Sequence, residues 1–152
     1  MSTRSNIILT QQNEEPIILY RHMDGYLSSA AVDLIDALLK CNKLVKGQVN
    51  RKDFASTLQT ITSGYRNKKQ YELVEERMGG TEFQYRIDFK KNCCKFFAWS
   101  VNWETNVRER LLECFVITFY CNRTDIAEVC ETEELKYALD PSLEPINLVI
   151  AT

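Results

Sequence analysis

The sequence predicts an α+β domain: an antiparallel meander sheet of about four to five strands with about two to three helices packed on one face. Three observations predict it. Apolar residues recur at three- and four-residue spacing in two stretches before residue 63, the signature of helices that bury one side. Between Glu82 and Phe89 the spacing switches to two, as in a half-buried strand. Several further strand-like runs follow, joined by turns short enough for antiparallel neighbours.

Taken in order, residues 1–15 form a polar lead-in that is loosely attached or contributes residues 6–10 as an edge strand, set apart by Pro16. Ile17-Ile18-Leu19-Tyr20 reads as a strand. Asp24-Gly25 supplies the next turn, with glycine tolerating positive φ. Ser28 or Ser29 is a natural N-cap for a helix from about residue 29 to about residue 43. Ala31, Leu34, Ile35, Leu38 and Leu39 make its apolar face, and Asp36 with Lys40 a favourable i,i+4 pair. Gly47 closes that region. Asn50 caps a second helix, with Asp53 placed to bond back and Val49 and Phe54 as a hydrophobic staple. Phe54, Leu58 and Ile61 line its inner side until Ser63-Gly64 ends it.

Tyr71 to Glu75 is a strand leading into the turn Met78-Gly79-Gly80. In the next strand Phe83, Tyr85, Ile87 and Phe89 alternate with Glu82, Gln84, Arg86 and Asp88. After the turn Lys90-Lys91-Asn92, the aromatic-rich run from Cys94 to Val101 returns as the hairpin partner. Leu111 to Tyr120 is apolar on both alternating sets apart from Glu113 and Thr118, so it is expected to be a central strand covered on both faces. Thr132 caps a short helix bearing Leu135, Tyr137 and Leu139, and Ile146 to Ile150 makes a last edge strand. The expected core comprises Leu34, Ile35, Leu38, Phe54, Leu58, Phe83, Tyr85, Ile87, Phe96, Phe115 and Ile117.

A chain of 152 residues, 45% hydrophobic and 26% charged, fits a single domain over 1–152 with a self-sufficient core. Its net charge of −2 argues against general nucleic-acid binding, which needs a basic excess to neutralise phosphates. No apolar run is long enough for a membrane span, and the first residues lack a signal peptide's core, so a cytoplasmic location is expected. The six cysteines are then expected to be reduced and mostly buried. With no CxxC pair and one histidine, neither a metal nor another cofactor is expected. Cys93 and Cys94 should point to opposite faces of their strand. The neighbouring lysines raise the alternative of a thiolate of lowered pKa. Glu75-Glu76, Glu128-Glu131 and Glu133-Glu134 read as solvated faces rather than metal ligands.

The segment from Tyr20 to Ser29 carries the most function-like residues. A strand end, a turn and a helix N-terminus together favour an anion. Arg21 and His22 would contact it, Tyr26 would offer a stacking wall, Ser28 and Ser29 hydroxyls, and Asp24 would organise the turn. No phosphate-loop motif supports this, and a purely structural turn is the competing account. Trp103, with Arg108 and Arg110 nearby, is the candidate contact for a protein partner, since tryptophan and arginine dominate interface hot spots.

The run Tyr20-Arg21-His22-Met23-Asp24-Gly25-Tyr26 resembles the Tyr-Arg-His-Trp-Asp-Gly-Tyr-Pro signature of a family of small uncharacterised proteins from phages, prophages and bacteria. That family also has an acidic-aromatic strand similar to Glu82-Phe83-Gln84-Tyr85-Arg86-Ile87. The likeness spans about residues 17–39 and 79–89, and departs at Met23 and Leu27, where the family has Trp and Pro. The resemblance implies a viral or mobile-element origin, hence a host cytoplasm, and by analogy a host-directed inhibitor. It carries no catalytic residue with it. The sequence therefore favours a non-enzymatic binding protein for a small anionic, nucleotide-like ligand or a host protein, with self-association through the aromatic hairpin or the C-terminal edge. A phosphodiesterase-like hydrolase using His22 and a scaffold without a small ligand are the alternatives.

Overall fold

A computed structural model of the protein describes residues 3–45, 49–62, 70–90, 93–120 and 150–151. The elements run β1 (Ser5–Gln11), β2 (Ile17–Arg21), α1 (Leu27–Val45), α2 (Arg51–Thr62), β3 (Tyr71–Val74), β4 (Phe83–Phe89), β5 (Cys93–Val101), β6 (Arg108–Tyr120) and β7 (Ile150–Ala151). The α+β class holds, with two helices among the described residues.

The sheet is mixed rather than a plain antiparallel meander. Its order is β3-β2-β1-β4-β5-β6-β7. Two antiparallel runs, β1-β2-β3 and β4-β5-β6, meet at a parallel junction in which Ile7 faces Tyr85 and Leu9 faces Ile87. The brief β7 also pairs parallel, with the end of β6. A parallel junction needs a crossover, and α1 and α2 lie within the connection that supplies it. The expected loose lead-in is corrected here: residues 5–11 form β1, flanked by partners on both sides, not an edge. Hydrophobic content explains it. Ile7 and Leu9 alternate with Ile8 and are fully buried, and burying such side chains is worth about 1.5–3 kcal/mol each.

The β1–β2 hairpin is also tied to α2. Asn13 takes a left-handed conformation at the bend (φ 63°), where asparagine is tolerated. Arg51, buried at the start of α2, donates from Nε to the Glu15 carbonyl (2.9 Å) and pairs with Glu14 (3.1 Å). The α2 cap forms as its spacing predicts: Asp53 N donates to Asn50 Oδ1 (2.9 Å) and Asn50 Nδ2 donates to Asp53 Oδ2 (2.7 Å).

The helices cover one face of the sheet. Leu34, Ile35 and Leu38 of α1 and Phe54 and Leu58 of α2 join Leu19, Tyr85, Ile87, Phe89, Phe96 and Ile117 in one buried cluster. Phe54 and Phe89 rings meet at 5.4 Å. Phe83 is only partly buried at the margin of this cluster. The side chain of Phe115, Gly47, Ser63-Gly64, Lys91-Asn92 and the helix expected after Thr132 lie outside the described residues. On the other face, Arg86 lies over the Phe97 ring (4.6 Å) and Arg108 over the Trp99 ring (4.4 Å). β6 is not covered on both faces throughout, because Leu111 is half exposed. No described helix is long and apolar enough to cross a membrane.

Candidate functional site

Two regions hold the residues singled out by sequence, and they are built differently. In the first, the alternation of β2, continued one residue past its end, separates Arg21 from His22. Arg21 turns towards the helices and is buried. Its guanidinium donates to Asp33 of α1 and to the Tyr71 hydroxyl, and its Nε donates to the Met23 carbonyl (2.7 Å). Burial pulls the Arg21 pKa down, but Tyr71 and Asp33 outweigh that and the net shift is upward. The guanidinium is a charged internal tie between β2, β3 and α1.

His22 goes the other way. Its ring packs edge-on against Tyr20 (4.6 Å) and its Nε2 lies 2.9 Å from Glu72 of β3, in an exposed pair. Arg21 and His22 therefore do not converge on one recess. Asp24, not Gly25, takes the positive φ (52°). Gly25 is required for another reason: a Cβ there would sit 2.9 Å from the Arg4 carbonyl carbon. Its N–H donates to the Thr3 carbonyl (2.9 Å), and its own carbonyl accepts from the buried Tyr85 hydroxyl (2.6 Å). Helix α1 begins at Leu27, about two residues earlier than the serines suggested. The Tyr26 carbonyl accepts from Ser29 N (3.0 Å) and Ala30 N (2.8 Å), which places Ser28 and Ser29 inside the first turn rather than at the cap. Tyr26 is exposed, and its hydroxyl donates to Asp24 (3.1 Å), a bond that raises the phenol's pKa.

The second region is the β5–β6 loop with the strand ends beside it. Asn102 organises it. Its side-chain oxygen accepts from Glu104 N (2.9 Å) and Thr105 N (3.2 Å). Its backbone donates to the Val107 carbonyl (2.9 Å) and accepts from Asn106 N (2.8 Å), while Asn106 itself adopts φ 59°. With the backbone tied inward, the side chains turn outward: Trp103 is 60% exposed, Val107 60% and Leu111 50%. Arg108 and Arg110 are exposed alongside. Trp103 also borders an open cleft of about 640 Å³ whose lining includes Glu82, Phe83, Ser100, Glu104 and Glu109. Sequence reasoning found Trp103 and both arginines but missed Asn102 and these glutamates. A side-chain amide followed by a short polar stretch is a turn signal that could have flagged Asn102.

The thiol alternative is overturned for Cys94. Its side chain is fully buried, which pushes its pKa well above the usual thiol value, and Cys93 on the opposite face is only partly buried. Cys41 is likewise pushed up by burial, to about 11. Among the described residues no group of three or more His, Cys, Asp and Glu side chains is placed to hold a metal ion. Comparison with protein-family models, with curated proteins and with solved structures finds no match.

Proposed function

We propose that the protein is a non-enzymatic binding protein of viral or mobile-element type that docks on a host protein through the β5–β6 loop, with Trp103 as its anchor and Arg108 and Arg110 on the rim. One observation carries this reading: a tryptophan is held out to solvent by a loop whose backbone is already fastened. Exposing so large an apolar ring is unfavourable for an isolated chain, and tryptophan is the residue type most enriched in interface hot spots. A fastened loop also loses little conformational freedom on docking. Val107 and Leu111 extend the apolar contact. The viral and host assignments rest on the resemblance of the Tyr20–Tyr26 run alone.

A small anionic ligand at the Tyr20–Ser29 turn is the second reading. The exposure of Tyr26 beside the α1 N-terminus favours it. The internal bonding of Arg21 and the carboxylate of Asp24 weigh against it.

The test of the first reading is capture from a bacterial lysate on immobilised wild-type protein and on Trp103→Ala, each read by mass spectrometry. A protein retained by the wild type and lost from the variant is the expected result. Identical captured sets would overturn the reading.

A further inference from the structure

The acidic residues of the described chain differ in how they are partnered. Glu14, Asp33, Asp36, Glu72 and Asp88 each face a basic or histidine side chain of the protein itself. Glu15, Glu75, Glu76, Glu82, Glu104 and Glu109 form no side-chain hydrogen bond or ion pair with a described residue, and of these Glu82, Glu104 and Glu109 line one cleft. Arg108, next to Glu109 in sequence, lies over the Trp99 ring at 4.4 Å. The cleft is bounded by two aromatic side chains, Phe83 and the exposed Trp103. It is about 640 Å³ and open to solvent.

Three carboxylates around one concavity repel one another and disfavour an anionic visitor. An apolar visitor would strip water from them without replacing its hydrogen bonds. A cation satisfies both conditions, and an indole face adds attraction for ammonium or guanidinium. We propose that this cleft receives a basic side chain, lysine or arginine, of the docking partner. The inference rests on the reading of the β5–β6 loop as the docking surface, and it names the chemistry that surface selects. Charge then sets which partners approach, while Trp103 supplies the apolar contact.

The probe is tetra-arginine amide titrated into the full chain and followed by proton–nitrogen NMR, with tetra-glutamate as the control. Trp103 and Trp99 are the two tryptophans, so loss of one indole peak in Trp103→Ala assigns both. Saturable movement of the Trp103 indole peak with tetra-arginine, weakened by salt and absent with tetra-glutamate, is expected. The triple variant Glu82→Gln, Glu104→Gln, Glu109→Gln should bind the probe about tenfold more weakly, as loss of three partly exposed charge contacts implies. Its remaining amide peaks report that the fold is kept. No movement with tetra-arginine, or equal affinity in the triple variant, overturns the proposal. In the lysate experiment, a partner kept by the triple variant and lost by Trp103→Ala would remove the basic-side-chain assignment and leave the loop as a docking surface. Retention of every partner by Trp103→Ala would remove the docking surface itself.

Discussion

The Tyr20–Ser29 turn and the Asn102–Arg110 loop are made of similar parts and do opposite things with them. Each has an exposed aromatic, at least one arginine, and a non-glycine residue at positive φ: Asp24 in one, Asn106 in the other. In the turn, the charged group is drawn inward, where Asp33, Tyr71 and the Met23 carbonyl surround Arg21. In the loop, the backbone is bonded inward to and from Asn102, and the side chains are left facing water. The difference teaches that residue type at a turn says little about recognition. What counts is whether a polar side chain finds its partners within the chain or outside it.

The contrast is open to breaking, and the largest effect is expected in the turn. Arg21→Ala should lower unfolding stability by about 3 kcal/mol in urea denaturation, because it strands Asp33 and the Tyr71 hydroxyl without their cation. A loss under about 1 kcal/mol would mean that the guanidinium is free for a ligand after all. Gly25→Ala should cost about 2 kcal/mol, since the added methyl meets the backbone of Arg4 and the side chain of Ser5. Asn102→Ala should cost about 1 kcal/mol through its lost bonds to Glu104 and Thr105, and should blunt docking by loosening the loop. Trp103→Ala should change stability by less than about 0.5 kcal/mol while abolishing capture of the partner. A large stability loss there would make Trp103 a packing residue and dissolve the contrast.

Alkaline pH sharpens the same comparison. Burial raises the phenol pKa of Tyr71 and of Tyr85, both of which bond into the turn. The unfolded chain releases these protons near the ordinary value of 10, whereas the fold retains them. Above that pH the unfolded state binds fewer protons, so stability is intact below about pH 10 and falls as pH rises beyond it. Denaturation series between neutral pH and about pH 11 should show that decline, and Tyr85→Phe should lessen its slope. A flat profile would mean that these hydroxyls are hydrated and the turn is not anchored as described.

Much of the fold was legible because it is written in near neighbours along the chain. The Asn50–Asp53 cap formed as read, and Leu34, Ile35, Leu38, Phe54 and Leu58 are fully buried as their spacing implies. The β4 alternation put Tyr85, Ile87 and Phe89 inward. The start of α1 was misjudged, because either serine suits a cap and the chain instead uses the Tyr26 carbonyl. Of the candidate site, Trp103 was found from its polar surroundings. The glutamates of the cleft were not, since Glu82 lies just before β4, Glu104 in the β5–β6 loop and Glu109 on β6, and no spacing connects them.

The sequence by itself determined the two described helices, most of the described strands and most of their apolar sides, because those depend on periodicities of 3.6 and 2 within a few residues. Only the tertiary structure decided that β1 lies parallel to β4 in the middle of the sheet, that Arg21 closes on Asp33 and Tyr71, and that three distant carboxylates share one cleft. The reason is physical: strand pairing and charge pairing join residues far apart in the chain, and their energies depend on which surfaces the whole fold brings together.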